Sequence, residues 1–451
     1  MEPASSNALE PPSKKLRKDE GKTARDTTMP NDSPFPSEPL KRQHTTISLL
    51  PVEQLLRQLL LDYRDEILGD SASSKLDIWF TGGWVRDKLL GIQTMDIDAA
   101  LSTMTGMQFG KDLEKFYSRN RANYVQEAKR LCVSPEFKLH MVGRKPEKSK
   151  HLETGTVHIF DLDVDFVNLR GETYTEDSRN PQVVFATAEE DALRRDATVN
   201  ALFYNVDSQQ LEDFTGKGLQ DMAAGIMRTP LDPHQTFLDD PLRVLRLIRF
   251  ASRLGYKIED EVMQSMKDER IHASLNAKIS RERVGIEVFK MINGRNPLMA
   301  FQLIYDAGLY STVFLKSSSQ SLHSLTNMLP DRQPGLPWPT TWPRAYHVLA
   351  DLLRETSILG NLTQPEESGE NAWLMAAYAP IAILRQRERK QAVKDATSAM
   401  KLTHTASKLV EDGLKHMNEI QSNADLVAAY DHSSGTLVRM FLLPNAYCCC
   451  L

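Results

Sequence analysis

Between Pro51 and Leu68 the apolar residues Leu55, Leu56, Leu59, Leu60 and Tyr63 fall at the spacing of one helix face, and Pro51 suits a first turn. Leu76 to Thr81 has strand character and runs into Gly82-Gly83; a short helix is expected over Val85–Leu90 and a second strand over Met95–Leu101. Further strands are expected over Phe137–Val142, Val157–Phe160 and Leu162–Leu169, with Gly143–Gly155 between them as a loop or hairpin. From Ala188 the pattern changes to one helix after another. Leu242, Leu245 and Ile248 form one apolar stripe, and Val284, Val288 and Phe289 contribute to another. Ser317–Pro343, Ser-rich and then Pro/Trp-rich, reads as a loop or linker, followed by helices over Ala345–Glu355, Asn371–Arg389 and Thr405–Ile420. The pattern predicts an α/β head, a mixed sheet with helices, followed by an all-α neck, body and tail. The boundaries expected are a disordered tail over 1–45, a head over 46–215, a helical neck over 216–292 and a helical body and tail over 293–451.

Composition narrows the function classes. In 451 residues, 55 Lys and Arg face 60 Asp and Glu, a formal charge of −5, so any nucleic acid must be held by a local patch rather than a basic coat. A hydrophobic share of 41% is ordinary for a globular chain, and no run of about 18 apolar residues suggests a membrane span. Cys132 and the run Cys448-Cys449-Cys450 make a poor disulfide framework, which favours a reducing compartment. The cytoplasm is the expected location, with nucleus and mitochondrion open. Ser13-Lys14-Lys15-Leu16-Arg17-Lys18 reads as an import signal or a solvated charge run, and acidic residues interrupt any transit-peptide pattern.

The densest chemistry lies in Gly82-Gly83-Trp84-Val85-Arg86-Asp87, followed by Asp96-Ile97-Asp98. Carboxylates at i and i+2 of a strand share a face and can hold hard divalent cations. Paired Mg²⁺ ions suit an in-line nucleotidyl displacement. Gly82 and Gly83 let backbone N–H groups approach phosphates, and Arg86 is expected to neutralise charge there.

These residues resemble the signature of the polymerase-β-like nucleotidyltransferases, in particular the class II tRNA nucleotidyltransferases (CCA-adding enzymes) and the bacterial-type poly(A) polymerases. Further blocks follow in order. Arg194-Arg195-Asp196-Ala197-Thr198-Val199-Asn200-Ala201 resembles the Arg-Arg-Asp block, and Leu211 to Gly216 the element between head and neck. Asp239-Asp240-Pro241-Leu242-Arg243 resembles the Glu-Asp-x-x-Arg block with Asp in first place, and Ser280 to Glu287 the last block. The similarity spans about residues 46–290.

The resemblance implies that Asp96 and Asp98 are catalytic and bind metal, with Asp165 as a third carboxylate and Asp163 competing for that role. It implies that Arg194, Arg195, Asp196 and Asn200 contact ribose and phosphates. Asp240 and Arg243, expected on one helix face, offer acceptors and a rigid donor fork; they either imitate a base-pairing edge or form an ordinary helical ion pair. Arg246 and Arg249 continue the row and would line the nucleotide pocket.

The implied activity is addition of C, C and A to tRNA 3′ ends from CTP and ATP with two Mg²⁺ ions. A poly(A) polymerase and a catalytically silent RNA-binding form are the alternatives. Arg281 to Glu287 is read as bracing the neck against the head, and Lys129-Arg130 as a solvated helix face. Trp338 and Trp342 either stack on RNA bases or act as hydrophobic plugs. The ending Cys448 to Leu451 formally fits a prenylation box, but a divergent or truncated end is the preferred reading.

Overall fold

The computed structural model describes residues 38–68, 76–142, 154–175, 178–315, 320–329, 335–353 and 365–429. The basic cluster at 13–18, most of the 143–155 loop and the terminal cysteine run lie outside them.

The head begins with α1 (Pro51–Leu68), β1 (Ile78–Thr81), α2 (Gly83–Leu89), β2 (Asp96–Leu101) and α3 (Gly106–Arg130). It continues through β3 (Lys138–Val142), β4 (Thr154–Ile159), β5 (Leu162–Asn168), β6 (Arg170–Thr175) and β7 (Ser178–Phe185). α4 (Ala188–Leu193), a 3₁₀ turn at Thr198–Asn200, β8 (Phe203–Asn205), β9 (Leu211–Glu212) and α5 (Gly218–Ala224) complete it.

Seven strands form one sheet in the order β3-β4-β5-β2-β1-β8-β9. β2 and β5 run parallel, with Asp96 opposite Asp163 and Asp98 opposite Asp165. A parallel pair needs a crossover, and α3 supplies its helical part. Buried Phe109, Leu113, Phe116, Tyr117, Tyr124 and Ala128 make the apolar face of α3, a helix that the strand-centred reading of this stretch does not anticipate. β6 and β7 form a separate two-stranded sheet. β8 and β9 put two strands into a region expected to be helical, because the sheet is completed only after the 3₁₀ turn.

Alternation along β2 positions the site. Ile97, Ala99 and Leu101 point into the main core, while Asp96, Asp98 and Ala100 share the other face. There Ala100 packs in a small cluster with Trp79, Phe203, Ala188 and Ala192.

The helical part runs β10 (Ile226–Met227), α6 (Pro233–Asp239), α7 (Leu242–Leu254), β11 (Lys257–Ile258), α8 (Asp260–Met266), α9 (Glu269–Lys278) and α10 (Arg281–Ile292). It continues with α11 (Pro297–Asp306), α12 (Tyr310–Phe314), α13 (Gln320–Met328), α14 (Trp342–Leu352), α15 (Pro365–Tyr378), α16 (Gln386–Met400) and α17 (His404–Ala429). α13 lies inside the expected Ser317–Pro343 linker, and a 3₁₀ turn at Ala379–Ile383 interrupts the helix expected over Asn371–Arg389. Trp342 is fully buried and donates to Ala376 O at 2.9 Å, so it is a core plug.

Half-buried Arg281 donates to the carbonyls of Thr312, Val313 and Ala399 at 2.9, 2.6 and 2.6 Å. It therefore braces the neck against the helical body rather than against the head. Residues 38–45, expected to be disordered, are also engaged: Leu40 N–H donates to Leu254 O at 2.8 Å and Gln43 N–H to Leu89 O at 2.9 Å. Backbone hydrogen bonds and the half-buried Leu40 side chain hold this stretch, with too little apolar surface for composition to reveal it.

Candidate active site

β1 and β2 are antiparallel with Thr81 opposite Asp98, so the turn leaving β1 lies beside the start of β2. Gly82 there has φ 71° and ψ −133°, a conformation open essentially to glycine. A Cβ on Gly82 would lie 3.2 Å from Asp98 Oδ2 and 3.3 Å from an Arg195 Nη atom. Turn backbone, carboxylate and guanidinium thus converge on one point, where a side chain would fit only if Asp98 and Arg195 gave way by a few tenths of an ångström. Gly83 opens α2 and Arg86 lies one turn on.

Asp96 and Asp98 are both exposed on one face of β2. Although Asp98 is open at its edge, the surrounding protein withdraws water from it, and Asp165 and Asp96 repel its charge. Its pKa therefore lies above the usual carboxylate value, although Arg195 and Arg246 pull the other way. Asp165 is half-buried beside Asp98 and accepts from Thr156 Oγ1 at 2.5 Å. Asp163 pairs with His158 Nδ1 at 2.7 Å.

Among the described residues no three acidic, His or Cys side chains converge into a complete metal cage. Two exposed carboxylates on one strand face nevertheless fit Mg²⁺, which is typically held by one or two carboxylates and takes its other oxygens from phosphates and water.

The Arg-Arg-Asp block forms a layered network. Thr187 and Glu190 make a reciprocal capping box at the start of α4. Asp191 in that helix is buried and takes both guanidiniums: its Oδ1 accepts from Arg194, and its Oδ2 accepts from Arg195 Nη2 at 2.8 Å and Nε at 3.1 Å. Burial opposes its charge, but Arg195 and Arg194 hold its pKa below the usual range. Arg195 also lies over the Phe203 ring, 4.8 Å from the centroid, and donates to Asn200 O at 3.0 Å. Arg194 turns to Arg170 O at 2.9 Å. Sequence reasoning passed over Asp191; its spacing of three and four residues before the two arginines was the available signal.

Asp196 is buried and accepts from Arg246 Nε at 2.7 Å and Asn200 Nδ2 at 3.1 Å. Burial alone would raise its pKa; Arg246, with these hydrogen bonds and the charge of Arg243, holds it down at about 2. The guanidinium of Arg86 lies beside the Gly-Gly turn, 3.5 Å from where a Cβ on Gly83 would stand, but it is already paired within the protein. It is 2% exposed, pairs with Asp87 at 2.7 Å and donates to Asn200 Oδ1 at 2.5 Å, so the small carboxylate and amide beside it consume its charge internally.

Asp240 and Arg243 do not share a helix. α6 ends at Asp239, Asp240 is extended at φ −132° and ψ 94°, and Pro241 precedes the first turn of α7. A residue before proline is disfavoured in helical conformation, which accounts for the break. Buried Arg243 donates to Arg194 O at 2.8 Å and so touches the Arg-Arg-Asp block. Arg249 reaches Glu287 of α10 at 2.6 Å and stacks over Phe250 at 4.1 Å, the ring that Arg246 meets at 5.4 Å. Burial lowers its pKa while Glu287 opposes that shift. It lies in the seam between α7 and α10, within electrostatic reach of the Asp196–Arg246 pair.

The site is thus a mixed sheet carrying two carboxylates beside a Gly-Gly turn, followed by a largely helical neck. Residues 78–228 match the poly A polymerase head domain, and residues 255–319 match the probable RNA and SrmB-binding site of polymerase A. These matches are a similarity over part of the chain: the first takes in β1 to the end of the head, and the second a stretch of the helical region.

The chain is 50% identical over 279 residues to the mitochondrial CCA tRNA nucleotidyltransferase of Saccharomyces cerevisiae, covering 61% of this chain and 50% of that protein. It is 46% identical over 354 residues to nucleotidyltransferase lcsQ of Purpureocillium lilacinum, covering 74% and 56% respectively. The chain therefore spans about half the length of the curated relatives it matches. A solved tRNA-processing enzyme in an apo form superposes with a TM-score of 0.52 at 19% identity, covering 86% of this chain and 83% of that one, which is a likeness of fold.

Proposed function

We propose that this chain is a tRNA nucleotidyltransferase that adds C, C and A to the tRNA 3′ end from CTP and ATP, choosing bases without a nucleic-acid template. The observation that carries the reading is the convergence of the Gly82 turn, Asp98 and Arg195 within 3.3 Å of one point in space. The naming of the yeast relative as a CCA tRNA nucleotidyltransferase supports the choice of substrate. Its mitochondrial designation supports the mitochondrion among the three locations the sequence leaves open. No helix among the described residues is long and apolar enough to cross a membrane.

Asp96 and Asp98 would hold two Mg²⁺ ions, which when bound supply charge stabilisation to an in-line displacement at the α-phosphate. The protein positions the rest. Gly82 leaves space for phosphate oxygens beside its backbone, and Arg195, fixed by Asp191 and Phe203, presents positive charge at the same place. Arg194, Asp196 and Asn200 shape the ribose and phosphate side. Asp240 and Arg243, at the joint before α7, would read the base edge, with Arg246 alongside. Arg86 and Arg249 hold this frame together.

The test is direct. The purified protein is incubated with tRNA lacking its last three nucleotides and with CTP, ATP or both. Three added nucleotides support the assignment. A long A tract from ATP alone, the outcome suggested by the family name of the head domain, would make it a poly(A) polymerase. No incorporation would leave an RNA-binding form. Asp96→Ala should abolish incorporation while leaving the thermal transition unchanged.

A further inference from the structure

Residues 38–44 form a strap across the junction of head and neck, and its contacts select two particular helix ends. Leu254 is the last residue of α7, and its carbonyl accepts Leu40 N–H at 2.8 Å. Leu89 is the last residue of α2, and its carbonyl accepts Gln43 N–H at 2.9 Å and His44 N–H at 3.2 Å. The strap therefore caps both helices, satisfying carbonyls that a helix terminus leaves without intrahelical partners.

Other groups hold the strap in place. Tyr256 Oη donates to Leu40 O at 2.9 Å, and Arg295 Nη2 donates to Glu38 O at 3.2 Å. Gly255 has φ 73°, and a Cβ there would lie 2.9 Å from Glu38 O, so the strap crosses where only glycine leaves space. Arg42 braces the strap internally, donating to His44 O at 2.7 Å and Thr45 O at 2.8 Å.

The opposite ends of these two helices carry the site. α2 begins at the Gly82-Gly83 turn beside Asp98, and α7 begins just after the Asp240-Pro241 joint with Arg243 in its first turn. At 1.5 Å per residue, the strap acts about 10 Å away along α2 and about 20 Å away along α7. Between strap and site the helices touch through Arg253 and Asp87 at 3.2 Å, and through Arg86, 5.5 Å from the Phe250 ring centroid.

We infer that residues 38–44 are a positioning element for nucleotide selection: by capping α2 and α7 together, they fix the separation between the turn that meets the phosphates and the joint that meets the base. The inference rests on the nucleotidyltransferase reading of the site for its functional half. Its structural half, that the strap governs the order of both distant helix starts, stands on geometry alone.

The experiment compares the full chain with Leu40→Pro/Gln43→Pro, which removes the shorter capping bond at each helix end and leaves only the 3.2 Å bond from His44, and with the milder Tyr256→Phe, which removes one anchor. Lys41→Ala, an exposed change in the same strap, is the control. Hydrogen exchange read by mass spectrometry on peptides covering Gly82–Asp87 and Asp240–Arg246 should accelerate at least tenfold in the proline variant and severalfold in Tyr256→Phe, with Lys41→Ala unchanged. In steady state with CTP, KM should rise at least tenfold with kcat within twofold, and insertion of UTP in place of CTP should increase.

Acceleration confined to the strap and the Leu89 and Leu254 ends would overturn the inference, as would a fall in kcat with KM unchanged. If the proline variant fails to fold, the Tyr256→Phe exchange pattern decides. Exchange is measured without substrate, so a wild-type chain that incorporates no nucleotide would sink the functional reading and leave the structural result to stand or fall by itself.

Discussion

Gly82 and Asp98 face each other so closely that a methyl group on the first would lie 3.2 Å from Oδ2 of the second. The positive φ of Gly82 adds a backbone cost of about 2 kcal/mol for any other residue. Gly82→Ala should therefore reduce nucleotide incorporation by about 100-fold, with a modest loss in urea midpoint. Rates from single-turnover assays and an unfolding curve check both halves. Full activity in this variant would mean that the turn does not meet the substrate.

Asp191 fixes Arg194 and Arg195 from beneath without being exposed itself. Removing its charge strands two guanidiniums that are themselves largely covered. Asp191→Asn should cost roughly 3 kcal/mol of stability and raise KM for both CTP and ATP, since both use the same phosphate contacts. Denaturant titration and steady-state kinetics measure the two effects. A change restricted to one nucleotide would contradict a shared phosphate role.

The ion pair of Asp196 with Arg246 carries a pH dependence of definite sign. The folded-state pKa of about 2 lies below the ordinary 3.8, so the stabilisation is fully present above about pH 4 and is lost as pH falls towards 2. The amount is about 2 kcal/mol. Asp196→Asn should flatten the stability profile between pH 4.5 and 2.5, windows of roughly the width linkage predicts. Urea midpoints of both proteins across that range provide the check.

Arg243 and Arg249 lie on one helix but should fail differently. Arg243 reaches the Arg-Arg-Asp block, whereas Arg249 is bound to Glu287 in the neck. Arg243→Ala should weaken base discrimination by roughly ten- to hundredfold, the worth of one or two charge-assisted hydrogen bonds. Arg249→Met should leave the CTP/ATP choice unchanged and destabilise the fold by roughly 3 kcal/mol, because it strands a buried carboxylate. Competition assays with mixed nucleotides separate the two outcomes.

The sequence made the head's strands legible because β1, β2 and β5 alternate or run apolar between clear breakers, and α1 has an uninterrupted helical period. The acidic pair was legible for the same reason: a two-residue repeat on a strand fixes a shared face. What did not show was anything decided by tertiary contact. Arg86 and Arg249 have the same side chain as Arg195, and only the fold determines that Asn200 and Glu287 consume the first two. The strap escaped notice because it is held mainly by main-chain groups, which leave no compositional trace. α3 carries a signal of the same kind as α1, since Phe109, Leu113, Phe116 and Tyr117 fall at helical spacing along it.

The break at Asp240 has a mechanical consequence. A residue embedded in a helix can redirect its side chain only through its rotamers, because its backbone is locked by the turns above and below. Asp240, extended before Pro241, is held by other means: its N–H donates to Thr236 O at 3.3 Å, its carbonyl accepts Arg243 N–H at 3.0 Å and its carboxylate accepts Leu242 N–H at 3.2 Å. One residue thereby ties the last turn of α6 to the first turn of α7, so that a shift of either helix is passed to the other through the main chain of Asp240.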